Sequence, residues 1–280
     1  MLLITGPSGN VGDELVDVLG RRLPEGGWRV AGRHPERMRD RVGERAQVCR
    51  FDFFDRTTWA ETLRGIDTLF LLFPLPGNRA AREAVIPFVH TAEAAGCRHV
   101  VYLSVFGADR ARFIPHYKVE AALRASSMTW TLLRCSFFMQ NLHRVISSHG
   151  SDIVERGELF IPAGRGLTSF IDARDAAEVA ALALTDPAAH RDAVYHLTGP
   201  AALSMDHVAA ALSAQEQHHQ DDQRAQHGQE QQIRCGIRHH EERVRHRFGR
   251  CVCRDGHGAV WHNPAGPSSR GAGGRRPISA

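Results

Sequence analysis

Eight residues near the start of the chain set the tightest limit on its fold: Thr5-Gly6-Pro7-Ser8-Gly9-Asn10-Val11-Gly12. They follow the short apolar run Leu2-Leu3-Ile4 and open an amphipathic stretch, Val11–Arg22. A TGxxGxxG turn between a strand and a helix is the arrangement that receives a dinucleotide pyrophosphate. In that reading Gly6 permits the tight turn, Gly9 lets the backbone approach the phosphates, and Gly12 lets the helix close onto the strand. The helix N-terminus then offers unpaired N–H groups to the anion. Thr5, Gly6, Ser8, Gly9, Asn10, Val11 and Gly12 are therefore expected to form the cofactor cradle.

The next strand, Trp28–Gly32, ends at Arg33. A site for NAD usually places a carboxylate there to bind the ribose 2′-hydroxyl, whereas an arginine suits a 2′-phosphate. Arg33 thus points to NADP(H) over NAD(H). Further along, Asp52 and Phe53 stand where such folds meet the adenine, and Phe73 and Pro74 where they meet the nicotinamide ribose.

Short apolar runs and helical-period stretches alternate through about residue 213. Strands are expected at Leu2–Thr5, Trp28–Gly32, Ala46–Phe51, Thr68–Phe73, His99–Ser104, Trp130–Arg134, Leu159–Pro162, Thr168–Ile171 and Ala193–Thr198. Helices are expected at Val11–Arg22, Thr57–Leu63, Ala80–Ala95, Lys118–Ser126, Ala173–Thr185 and Met205–Ser213. This alternation implies an α/β fold, a Rossmann-type doubly wound parallel sheet with helices on both faces. Residues 1–213 form that domain, with elements of a small C-terminal substrate lobe at about 136–170 and 193–213.

The texture changes after Leu212. Residues 213–280 contain no leucine, yet hold eight of the 17 histidines, eight of the ten glutamines and eleven of the 34 arginines. Such a stretch buries too little apolar surface to offset an ordering cost of about 1–2 kcal/mol per residue, and a tail without regular structure is expected. Three origins stay open: a frameshift in a GC-rich gene, which would leave the substrate lobe incomplete, a natural low-complexity tail, or a small folded module. Cys235, His239, His240, Cys251, Cys253, His257 and His262 do not make the paired knuckles of a zinc site, so no metal is expected.

The net charge of +4 belongs wholly to this tail, because residues 1–213 carry 24 basic and 24 acidic side chains. The basic balance therefore gives no ground for a nucleic-acid partner. Mean hydropathy is −0.30 and no run of 18 apolar residues occurs, so no membrane span is expected. The apolar start is too short for a signal-peptide core, and the expected compartment is the cytoplasm.

Together these segments resemble the NmrA-like branch of the atypical short-chain dehydrogenases/reductases. The resemblance spans about residues 1–213. Beside the glycine turn, Arg33 and Phe51-Asp52-Phe53, it rests on Ala95–Ser104, His116-Tyr117-Lys118-Val119-Glu120, Trp130–Arg134, Phe138-Met139-Gln140-Asn141 and Phe170–Asp175. The family includes NAD(P)H-dependent quinone reductases, isoflavone-type reductases, and regulators that bind the dinucleotide without turnover and dock on a protein partner. The resemblance therefore implies either an NADPH-dependent oxidoreductase for a quinone-like or other conjugated acceptor, or an NADP(H) sensor.

Proton transfer bears on that choice. Ordinary short-chain dehydrogenases use a YxxxK pair in which lysine assists the tyrosine. Aligned on Glu120, this chain has His116 at the lysine position and Arg112 at the tyrosine position, and Tyr117 is followed four residues later by Ala121. The pair is absent, so alcohol/ketone chemistry of the usual kind is not expected. His116 either faces the nicotinamide as an acid or hydrogen-bond donor, or pairs with Glu120 one helical turn on. Ser104, at a strand end, is a second candidate donor to a substrate oxygen. Phe138, Met139 and Asn141 fall where the family builds its substrate pocket, and an aromatic and methionine cluster there suits a flat apolar acceptor. Asp172, Arg174 and Asp175 are expected to form a structural charge network at a helix start.

Overall fold

The computed structural model describes residues 1–74, 77–142, 148–161, 163–214, 251–254 and 258–261. In chain order the elements are β1 (Leu2–Thr5), α1 (Asn10–Arg22), β2 (Trp28–Gly32), α2 (Pro35–Val42), β3 (Gln47–Arg50), α3 (Trp59–Leu63), β4 (Thr68–Leu71), α4 (Ile86–Ala94), β5 (His99–Val105), α5 (Pro115–Ala125), β6 (Thr129–Cys135), β7 (Phe137–Phe138), α6 (Ser148–Arg156), β8 (Leu159–Ile161), β9 (Thr168–Ile171), α7 (Ala173–Thr185) and β10 (Ala193–Leu197). A turn of π-helix, Ala81–Val85, leads into α4, whose second residue, Pro87, has no N–H for a regular helical ladder. Met1–Gln140 and Ser169–Ala202 make one compact unit, Asn141–Thr168 and Leu203–Ala280 another.

In the first unit seven strands form one sheet in the order β10-β6-β5-β4-β1-β2-β3. Every neighbouring pair is parallel. Because side chains alternate across a strand, adjacent residues supply opposite cores. Leu3, Leu69, Val100 and Leu132 join Val85, Phe88, Val119 and Leu123 on one face. Ile4, Phe70, Val101 and Leu133 join Leu15, Leu19, Ala177 and Ala181 on the other. Both faces are thus covered, as a parallel sheet requires. α7 presents Ala173, Ala176, Ala177, Ala180 and Ala181, all fully buried, and this smooth face packs on α1.

Arg29 shows how the sheet is tied below its site. Its guanidinium donates to the carbonyls of Glu61, Thr62 and Arg64, where α3 ends, and to the Gln47 side chain on β3. Strand order reverses between β1 and β4, which leave from either side of the sheet's middle. In open α/β sheets that reversal opens a crevice beyond the carboxyl ends of the strands.

Two expectations change. Ala193–Leu197, assigned to the substrate lobe, is the seventh strand of the main sheet, paired with β6 from Ala193↔Thr131 to Leu197↔Cys135. Its apolar alternation could serve either place, and only the partner strand decides. Of residues 214–280 the structure describes the end of a helix at 205–214 and the strands Cys251–Arg254 and Gly258–Trp261. Within the second unit these two pair antiparallel, and the latter pairs with β8. Those eight residues do not carry the expectation of a structureless tail, and the rest of it lies outside the described residues. Among the described residues no helix is long and apolar enough to cross a membrane.

Candidate active site

The glycine turn lies at the carboxyl end of β1, beside the sheet's reversal. Gly6 adopts φ +66°, and a Cβ there would stand 2.0 Å from the Leu72 side chain. A Cβ on Gly12 would stand 2.1 Å from the Gly6 carbonyl oxygen, so only glycine lets α1 start this close to the turn. Gly9 differs. Its backbone is extended (φ −80°, ψ 165°), and a Cβ would meet only contacts of 3.4 and 3.8 Å. The protein's own packing therefore leaves Gly9 room for a side chain, and the space a Cβ would take fits a group approaching from outside. Gly9 is also the N-cap of α1, and no side chain caps the helix there. The turn thus fits a pyrophosphate on both counts.

Thr5 is corrected as a direct contact. It is fully buried; its hydroxyl donates to the Phe70 carbonyl at 2.9 Å and accepts from the Leu72 amide at 3.0 Å. Thr5 stitches β1 to β4 and so shapes the turn from beneath. Ser8 is exposed on the turn, Val11 is buried in the core, and Asn10 opens α1.

Arg33 follows β2 directly, is exposed, and makes no hydrogen bond or ion pair with the described residues. The Asp52 carboxylate accepts from the Phe54 amide at 2.9 Å, closing a local turn after β3. Phe53 is corrected too. It is buried among Phe51 and Phe88 at ring distances of 4.7 and 5.3 Å, so it supports the loop from the core. Phe73 is also buried, with its ring 4.8 Å from that of His116, and Pro74 beside it is half-buried.

The structure separates Ser104, on β5, from His116, on α5, two residues that the sequence treats alike. Ser104 is buried, and its hydroxyl donates to the Glu120 carboxylate at 2.6 Å. The same carboxylate takes Nε and a terminal nitrogen of Arg134 at 3.0 and 2.6 Å, and Arg134 also reaches Asp109 at 3.3 Å. Ser104 is therefore not a donor to substrate; its hydrogen is spent on a buried ion pair. Nor does His116 hydrogen-bond Glu120. Its Nδ1 lies 2.8 Å from the hydroxyl of Tyr102, a fully buried β5 residue that the sequence reading missed. Burial pushes His116 down to about 4 and holds the Tyr102 phenol well above its ordinary value. At neutral pH both are uncharged.

After β6, Phe138 is half-buried in β7, which pairs with β9, and Met139 is exposed. Gln140 is buried, donating to Asp172 at 2.7 Å and accepting from the Ala173 amide at 2.9 Å. Asp172 caps α7 by accepting from the Arg174 amide, and Arg174 beside it holds its carboxyl well below the usual range. Asn141 belongs to the second unit.

With this geometry, a profile of the family described as NAD(P)H-binding matches residues 6–187. The chain belongs to that family, in the NmrA-like branch of the atypical short-chain dehydrogenases/reductases. It is 35% identical over 219 residues to an NAD(P)H azoreductase of Xenophilus azovorans, covering 76% of this chain and 73% of that one. Quinone oxidoreductase 2 of Escherichia coli is 26% identical over 219 residues, with 77% and 74% covered. The solved structure of an NADPH-dependent quinone oxidoreductase of Escherichia coli complexed with NADPH superposes with a TM-score of 0.66, at 26% identity over 77% and 75% of the two chains.

Proposed function

We propose that this chain is an NADPH-dependent reductase that delivers hydride to a quinone-like or other conjugated small-molecule acceptor. The observation that carries the reading is a neutral His116 set against Phe73 at the carboxyl edge of β4 and β5, in a chain without a YxxxK pair. When bound, the reduced nicotinamide supplies the hydride. The turn around Gly9 holds the pyrophosphate, and Arg33, exposed and unpaired among the described residues, takes the 2′-phosphate.

An electron-poor conjugated ring asks little else of the protein. As hydride reaches carbon, charge collects on the acceptor's oxygen or nitrogen. An uncharged imidazole N–H can hold that charge as a hydrogen-bond donor while solvent supplies the proton. Phe138 and Met139 offer apolar surface for the ring. The names of the azoreductase and quinone oxidoreductase relatives support this acceptor class.

The test follows NADPH oxidation by the purified chain with a panel of quinones and azo compounds. Steady turnover with at least one of them is expected. Tight NADPH binding with no oxidation across the panel would contradict the reading and leave a dinucleotide sensor in its place.

A further inference from the structure

The Tyr102–His116 contact has no place in the glycine turn or the buried ion pair, yet it decides what His116 can do. Tyr102 is fully buried in the β5 face that carries Val100, and the Nδ1 of His116 at 2.8 Å is its hydroxyl's one partner among the described residues. The other ring nitrogen, Nε2, has no partner among the described residues, and the ring is only half-buried.

Two proton arrangements fit that distance. If Nδ1 carried the proton and donated to the phenol, the hydroxyl hydrogen of Tyr102 would be left in the core without an acceptor. If the phenol donates to Nδ1, both hydrogens are used and the imidazole proton sits on Nε2. Imidazole nitrogen is also the better acceptor of the two. The hydrogen bond one nitrogen makes sets the state of the other.

We propose that Tyr102 is a positioning residue that, by donating to Nδ1, holds His116 as the tautomer with its proton on Nε2. This rests on the donor role given to His116 above. Hydride adds to the acceptor's carbon, the electron pair moves to its oxygen, and Nε2–H stabilises that oxygen until a solvent proton neutralises it. His116 and Tyr102 keep their own protons throughout. Glu120, the charged group whose field reaches both rings, is engaged with Ser104 and Arg134 and makes no bond to either ring.

The experiment is long-range 1H–15N NMR of the full chain labelled with 15N-histidine, from pH 5 to 8. His116 is identified by the signals lost in His116→Ala. The expected result is the Nε2–H pattern throughout in the wild type, and a mixed or Nδ1–H pattern in Tyr102→Phe. Reduction of the acceptor by Tyr102→Phe should fall about tenfold in kcat, with NADPH affinity and acceptor KM nearly unchanged. An Nδ1–H pattern in the wild type overturns the proposal, and this readout does not depend on the variant folding. An unchanged tautomer and rate in Tyr102→Phe overturns it as well. A His116→Ala chain that turns over at the wild-type rate would remove the donor role on its own, and the spectrum would still decide the tautomer.

Discussion

Two regions at the carboxyl end of the sheet handle polar groups in opposite ways. In the glycine turn after β1 the N-cap residue, Gly9, makes no side-chain capping bond, and a Cβ there would meet only contacts of 3.4 and 3.8 Å. The cluster at the ends of β5 and β6 packs Ser104 and Arg134 with Glu120 of α5 into one buried set in which each polar group already has a partner. Both contain residues that look functional in one dimension. The difference teaches that charged residues gathered at a strand end can serve stability alone.

The comparison breaks most visibly at Glu120. Glu120→Ala leaves Arg134 buried with Asp109 as its one charged partner among the described residues, and thermal or urea unfolding should show a loss of about 3–5 kcal/mol. Acid comes next, and between about pH 6.5 and 4 it acts through two buried rings, His99 on β5 and His116 on α5. Burial holds His99 and His116 down to about 4, against an ordinary 6.5. Between those values the unfolded chain binds protons that the folded chain refuses. Stability from these rings is therefore complete above about pH 6.5 and drains away as pH falls toward 4. Melting curves across that range should show it, and His99→Gln should flatten them.

Gly12→Val tests the other region. Its first carbon meets the Gly6 carbonyl, so the turn must open; a loss of about 1–3 kcal/mol and of NADPH binding is expected, by melting and fluorescence titration. The smallest effect sharpens the contrast. Ser104→Ala removes one of three bonds to Glu120 and should cost about 1 kcal/mol while leaving turnover within about twofold. A collapse of turnover with intact stability would return Ser104 to the reacting groups.

Local chemistry made much of this legible. β2 and α7 run Trp28–Gly32 and Ala173–Thr185 as the pattern reads, because apolar runs and a capping aspartate mark their ends. α2 escaped because Pro35–Val42 buries only Val42, so it has no apolar stripe; its signs are Pro35 in the first turn and Gly43 at φ +56° after it. α6 escaped with it. Within the site, the glycine turn is read from contiguous residues, and its strand–turn–helix setting is the one the structure has. Ser104 was misjudged, and the Glu120 pairing offered for His116 fails, because the true partners, Glu120 and Tyr102, lie 16 and 14 residues away on another element. Thr5 and Phe53 look like contacts because they belong to the turn and the loop, but the Thr5 hydroxyl is bonded to β4 and the Phe53 ring packs on Phe51 and Phe88.

The most direct test of the account is a fluorescence titration of NADPH and NADH into the wild type and Arg33→Ala. The account predicts tighter binding of NADPH than NADH by the wild type. In Arg33→Ala, NADPH should weaken about tenfold or more while NADH is unchanged. Equal affinity for the two nucleotides, or an Arg33→Ala chain that keeps its preference, would contradict the phosphate role of Arg33. No binding of either nucleotide by a folded chain would contradict the cofactor site itself.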